Sequence, residues 1–138
     1  MTRILKTSGF LGLATMMTIG LYQNMLLASG QGVPGWLVGG HAHMGVLSIL
    51  AVVLGFAVPA LGVTGRLRSA VTGLFVAGQW LLPVTIWVGE GAGVTMLIPT
   101  SFLWGLCLLV SMLLMAYVAA TGDHDRGGRL GSASPADD

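Results

Sequence analysis

Apolar residues dominate four long stretches of the chain, and short polar or glycine-rich segments separate them. The stretches cover residues 9–28, 41–61, 67–88 and 94–120, so each is 20 residues or longer. At 1.5 Å per residue, about 20 helical residues cross a hydrocarbon core of about 30 Å. The pattern therefore predicts four transmembrane helices.

The segments between these stretches are short enough to make consecutive helices antiparallel neighbours. Residues 29–40 contain Pro34 and Trp36 among glycines, residues 62–65 precede two arginines, and residues 89–93 are glycine-rich around Glu90. We therefore predict an all-α fold, an integral membrane antiparallel four-helix bundle over residues 1–122. Residues 123–138 are rich in glycine, serine, proline and charge, which predicts a disordered cytoplasmic tail.

The composition supports a lipid environment. Hydrophobic residues make up 54% of the chain and charged residues 8%, whereas about a quarter of the residues of soluble proteins are charged. The net charge of +1 gives no reason to expect a nucleic-acid partner. The single cysteine, Cys107, allows neither a disulfide framework nor a multi-cysteine metal site.

The basic residues predict the orientation in the membrane. They occupy three places, Arg3 and Lys6, Arg66 and Arg68, and Arg126 and Arg129. Four spans put all three places on one face, which the positive-inside rule makes cytoplasmic. We expect a protein of the cell (inner) membrane with both termini in the cytoplasm. A cleaved signal peptide is an alternative for the first stretch, although Tyr22 and the two polar residues after it interrupt the apolar pattern.

Two histidines at membrane depth, His41 and His43, are the main functional candidates, because ionisable residues are costly there. Residues two apart point roughly 200° apart on a helix, so one metal cannot easily bind both. The helical row through His41 continues with Gly45 and Ser48, which suits a flat macrocycle close to the backbone. This pattern favours His41 as the axial ligand of haem b and His43 as a hydrogen-bonding partner that supports the ligand or binds a propionate. The alternative is that both histidines are interfacial residues.

Five further residues at this depth are candidates for a cofactor or ligand pocket. Trp80 is a candidate haem contact, and a pocket for a small apolar ligand would be lined by Tyr22, Asn24, Gln79 and Glu90. For Gln79 the alternative is an interhelical hydrogen bond, worth about 1 kcal/mol in membranes. For Trp80 it is packing or a place in the interfacial aromatic belt. Small residues recur through the spans and would allow close contacts between helices or protomers, so we expect a homo-oligomer.

Four segments together resemble the styrene oxide isomerase family: GW at 35–36, HAHMG at 41–45, AVPALG at 57–62 and GQW at 78–80. That family consists of small four-span membrane proteins that bind haem b, assemble as trimers and isomerise aryl epoxides to aldehydes. The resemblance implies haem b ligated through His41, a trimer, and an isomerase whose ferric haem acts as a Lewis acid.

The chain departs from the family where the substrate is oriented. The family's asparagine falls on Leu47, its tyrosine on about Ile86, and the acidic residue before the tryptophan on Gly78. A Lewis-acid reaction needs such groups to stabilise developing charge, so the cofactor and the fold are expected more firmly than the reaction. The alternatives are a haem protein for electron transfer or gas sensing, and a cofactor-free subunit of a larger membrane complex.

Overall fold

In residues 2–122, the part of the chain that a computed structural model describes, there are four long α-helices and no β-strand. The helices are α1 (Thr2–Ala28), α2 (Gly35–Ala60), α3 (Gly65–Ile86) and α4 (Thr100–Thr121). With the short turns that extend α3 and precede α4, all four segments are long and apolar enough to cross a membrane. The predicted all-α four-helix fold is therefore confirmed, while the predicted tail, residues 123–138, lies outside the described residues.

Two helices begin earlier than the apolar stretches that predicted them. The first starts at Thr2, seven residues before the stretch, and the second starts at Gly35, six residues before it. Hydropathy indicates which residues lie in lipid, whereas backbone hydrogen bonding continues through polar and glycine residues at the interface. Pro34 ends the preceding loop with an extended backbone (φ −61°, ψ 141°), as suits a residue that donates no backbone hydrogen bond. His41 and His43 consequently lie about two turns inside α2.

The connection between α3 and α4 is more helical than the glycine-rich sequence predicts. A π-helical turn, Trp87–Gly91, continues α3, and a 3-10 turn, Thr95–Leu97, follows it. Pro83, inside α3, has no N–H to donate to the carbonyl of Gln79 four residues earlier. The fourth helix starts only after Pro99, which stands at its N-cap.

The helices pack as neighbours in chain order. The first packs along α2, the fourth packs along α3, and α2 and α3 form the central pair. Near one end, the Lys6 side chain lies against Gly55, and the Lys6 ammonium stands 3.5 Å from the ring centroid of Phe56. We call this the basic end, because Arg3 and Arg66 also lie in the first turns of α1 and α3 there. The opposite end, where α2 begins, is the histidine end.

The hydrophobic core lies towards the basic end and draws on all four helices. Its buried members are Leu5, Ala51, Leu54, Val58, Val63, Val71, Phe75 and Met115. Outside this core the helices carry many exposed apolar side chains, above all on α4, where only Ser111 and Met115 are buried. An exterior of this kind suits lipid rather than water.

The first two helices approach closely because α1 carries glycines along the face that meets α2. A β-carbon placed on Gly9 would stand 2.7 Å from the carbonyl oxygen of Ser48, closer than van der Waals contact allows. Gly12 and Gly20 meet Ser48 and His41 in the same way, further towards the histidine end. Helices in lipid gain stability from such close backbone contact.

Candidate functional site

His41 lies between α1 and α2. A β-carbon placed on Gly20 would stand 3.1 Å from Cε1 of the His41 ring, so the ring packs against the backbone of α1. Its Nδ1 is buried and has no hydrogen-bond partner among the described residues. Because unpaired buried polar atoms are rare in proteins, this nitrogen marks a place where a water, ion or ligand group would be stabilised.

The row of small residues that continues from His41 is covered by α1. The Met16 sulfur lies against Gly45, and the backbone at Gly12 lies against the Ser48 hydroxyl. One turn further, Val52 meets Gly9. The row is therefore not an open groove, contrary to the expectation from the sequence, because the glycines that suit a flat ligand suit a neighbouring helix equally well.

His43 has different surroundings. Its side chain is exposed, and Nδ1 lies 2.8 Å from the carbonyl oxygen of Gly39. A carbonyl only accepts hydrogen bonds, so Nδ1 is the donor, and in the neutral imidazole the lone pair then lies on Nε2. The ring borders a hollow of about 240 Å³ on the outside of α2, lined by Ala42, His43, Val46 and Leu47. This arrangement, with one ring nitrogen donating to a backbone carbonyl and the other free, is typical of metal-ligating histidines.

Two tryptophans close the histidine end on the side of α3. The Trp87 indole lies against Gly40, and its Nε1 is buried without a partner among the described residues. The Trp36 ring packs on Gly91, where a β-carbon would stand 2.9 Å from the ring. The π-helical turn thus packs a tryptophan on a glycine of α2, and α2 packs a tryptophan on a glycine of that turn. These two contacts hold the start of α2 against the π-helical turn.

The other predicted pocket residues at this end do not gather around His41. Tyr22, Asn24 and Glu90 are all exposed. Gln23, between the first two, donates instead to the carbonyl oxygen of Leu37 at 3.0 Å and ties α1 to α2. Within residues 2–122 no group of three or more His, Cys, Asp or Glu side chains is placed to hold a metal ion.

The remaining candidates form a separate polar cluster among α1, α2 and α3. The fully buried Gln79 donates from Nε2 to the Ser8 carbonyl (3.1 Å) and the Ser48 hydroxyl (3.2 Å). Ser8 Oγ donates to Gln79 Oε1 (2.8 Å) and accepts from Trp80 Nε1 (2.8 Å). We call Ser8, Ser48, Gln79 and Trp80 the three-helix cluster.

The three-helix cluster is distant from the histidines. Ser48 is seven residues beyond His41, about 10 Å along the axis of α2. Gln79 therefore makes the interhelical hydrogen bonds that were the alternative to a pocket role, and Ser48 and Trp80 serve the same cluster. Sequence reasoning did not identify Ser8, whose only signal is its place four residues before Gly12 on α1.

A comparison with known proteins gives a family and no activity. No curated protein and no solved structure matches the chain. All of residues 1–138 match a family model described as "Domain of unknown function (DUF8059)". The chain therefore belongs to the DUF8059 family.

Proposed function

We propose that this protein is an integral membrane haem b protein whose axial imidazole comes from the histidine pair of α2, with His43 the better-placed ligand. The observation that carries the proposal is the contact between His43 Nδ1 and the Gly39 carbonyl oxygen, 2.8 Å long. In the neutral imidazole this contact leaves the lone pair of Nε2 available to bind iron, and it orients the ring. On this geometry the ligand moves from His41, which the sequence favoured, to its neighbour two residues on.

The hollow beside His43 suits part of a porphyrin. It is apolar apart from the imidazole, and its volume of about 240 Å³ is below the roughly 300–1,000 Å³ of typical small-molecule sites. A second wall is needed, and a homo-oligomer would supply it, in line with the trimer that the family resemblance implies. Val46, Ile49 and Val53 continue this exposed apolar face of α2 and would serve the contact.

Haem held by one imidazole would offer an open coordination position to a small ligand. Haem held by that imidazole and a second side chain would serve as a redox centre. The residues of this chain would hold and surround it: His43 as ligand, the Gly39 carbonyl as its orienting partner, and the apolar hollow as the pocket that excludes water. Epoxide isomerisation stays a prediction from the resemblance. Leu47 lines the hollow where the family has an asparagine, and it offers no donor to a substrate oxygen.

A cofactor-free subunit of a larger membrane complex is the second candidate, favoured by the packing of α1 over the His41 row. Met16 against Gly45 and His41 against Gly20 leave that interface filled by the chain itself. In this reading both histidines serve packing and the interface with the headgroups.

The visible spectrum of the detergent-purified protein from haem-supplied cells, oxidised and reduced, separates these functions. We expect a Soret band that His43→Ala abolishes and that His41→Ala retains, with His124→Ala as the matched control. Added imidazole should restore the band to His43→Gly. A colourless wild type would overturn haem binding and favour the cofactor-free subunit. Loss of the Soret band in His41→Ala alone would identify His41 as the haem ligand.

We also propose that the basic end faces the cytoplasm of the cell (inner) membrane. Arg3, Lys6, Arg66 and Arg68 all belong to this end in the described residues, as the positive-inside rule requires of a cytoplasmic face. Single cysteines introduced at Thr64 and at Gly93, in a Cys107→Ser background, should react with a membrane-impermeant thiol reagent from opposite sides. Labelling of Thr64→Cys in intact cells would contradict this orientation.

A further inference from the structure

A groove runs along the outside of α1 and α3, where these two helices touch over only a short stretch. It has two hollows of about 410 and 390 Å³, and the exposed side chain of Ile4 borders both. We call it the α1–α3 groove. The first hollow lies between Arg3 at the basic end and Trp80, and the second lies along α3 beside Thr72 and Gly73.

We propose that the α1–α3 groove binds one diacyl phospholipid with an anionic headgroup, drawn from the leaflet at the basic end. The two hollows on either side of Ile4 provide separate places for two acyl chains. Each extends over roughly two helical turns from the basic end, from Arg3 to Leu11 on α1 and from Ser69 to Ala77 on α3. This site is distinct from the histidine end and does not depend on haem.

The charge at the mouth of the groove determines the class of headgroup. Arg3 lines the first hollow, and Arg66 lies in the first turn of α3, three residues before Ser69 of the second hollow. No acidic residue occurs between residues 2 and 89. Basic residues near a membrane surface attract anionic headgroups. The exposed residue Thr7, next along α1, adds a hydroxyl group just inside the mouth.

A second observation at the groove is the hydroxyl of Thr72. The side chain is 5% exposed and lines the second hollow, and its Oγ1 has no hydrogen-bond partner among the described residues. In helices threonine side chains divide between two χ1 rotamers, so rotation would turn this hydroxyl towards a lipid ester or phosphate oxygen. An unpaired polar atom here is explained by a partner that the chain itself does not supply.

Glycines provide a blocking variant and its control. A β-carbon on Gly73 would meet nothing within 4 Å, so Gly73→Leu would fill the second hollow without disturbing the helix packing. Gly105, in the second turn of α4, also has no neighbour within 4 Å and lies outside the groove. Gly105→Leu is therefore the matched control for a leucine added to a helix surface.

The experiment is native mass spectrometry of the full chain released from vesicles that contain equal amounts of phosphatidylglycerol and phosphatidylcholine. We expect one retained phosphatidylglycerol per chain in the wild type and in Gly105→Leu, and none in Gly73→Leu. Arg3→Gln should lower the preference for phosphatidylglycerol about fivefold, and Thr72→Val should lower retention about threefold. Soluble glycerol phosphate should not displace the retained phosphatidylglycerol.

Four results would overturn the proposal. Equal retention in Gly73→Leu and Gly105→Leu, or equal retention of the two lipids by the wild type, would mean ordinary surrounding lipid. Displacement by glycerol phosphate would mean a site for free phosphate groups. A change of oligomeric state in Gly73→Leu, with lipid retention unchanged, would mean that the groove holds a second copy of the chain.

Discussion

Gly12 of α1 lies directly against Gln79 of α3. A β-carbon placed on Gly12 would stand 2.8 Å from Gln79 Nε2 and would overlap the hydroxyl of Ser48. Three helices thus meet around one buried amide. Gly12 has no side chain and leaves room for this amide, and Ser8 of the same helix forms hydrogen bonds with it. Because an unpaired amide is costly in lipid, this close approach stabilises both the fold and the placement of Gln79.

Gly12→Ala should lower the free energy of unfolding by about 1–3 kcal/mol, the usual cost of an added methyl group in a packed interior. The gain in helix propensity, up to about 1 kcal/mol, should offset only part of this loss. Unfolding of the detergent-solubilised protein in SDS mixed micelles would measure it. Gly105→Ala, with open space around the added methyl, is the control and should be neutral or stabilising; equal losses in both variants would contradict the close contact.

Gln79→Leu should also destabilise the protein, because it leaves the Ser8 hydroxyl without its acceptor and removes the amide that donates to the Ser8 carbonyl and the Ser48 hydroxyl. The hydrogen bond to Ser48 is 3.2 Å long, and interhelical bonds in membranes are worth about 0.6 kcal/mol on average. A double-mutant cycle of Gln79→Leu and Ser48→Ala should give a coupling energy of about that size. Strict additivity of the two variants would mean that the contact contributes nothing.

Gly40 and Gly39 provide a paired test of the tryptophan packing at the histidine end. The Trp87 ring occupies the space that a side chain on Gly40 would need, whereas nothing lies within 4 Å of a β-carbon on Gly39. Gly40→Ala should therefore lower stability by about 1–3 kcal/mol and shift the tryptophan emission maximum as Trp87 is displaced. Gly39→Ala should leave the emission maximum unchanged and be neutral or stabilising. If the emission maximum shifts equally in both, Trp87 does not pack on Gly40.

Met16→Ala tests which side of α2 holds haem. The change removes the side chain that covers Gly45 and should cost stability near the lower end of the about 2–5 kcal/mol typical of this substitution, because Met16 is only half-buried. With His43 as ligand, the ratio of haem to protein should equal that of the wild type. A higher ratio in Met16→Ala would indicate that haem enters the row beside His41.

The number and kind of the helices follow from local properties of the sequence. Four apolar stretches long enough to cross lipid predict four helices wherever they pack, because in a membrane each backbone polar group must be paired within its own segment. The separation of His41 from His43 onto different faces follows from helical geometry in the same way. These features need no knowledge of neighbouring helices.

Only the tertiary structure decided what each face contacts. The sequence of the row that contains Gly45 and Ser48 is equally compatible with a groove for a flat ligand and with a contact surface for another helix. In the structure, Met16 and Gly12 of α1 cover this row. Gln79 and Trp80 resemble pocket residues until Ser8, 71 and 72 residues away in sequence, joins them in the three-helix cluster. Which helix meets which face depends on packing between distant segments, and that information is not contained in the pattern of any single stretch.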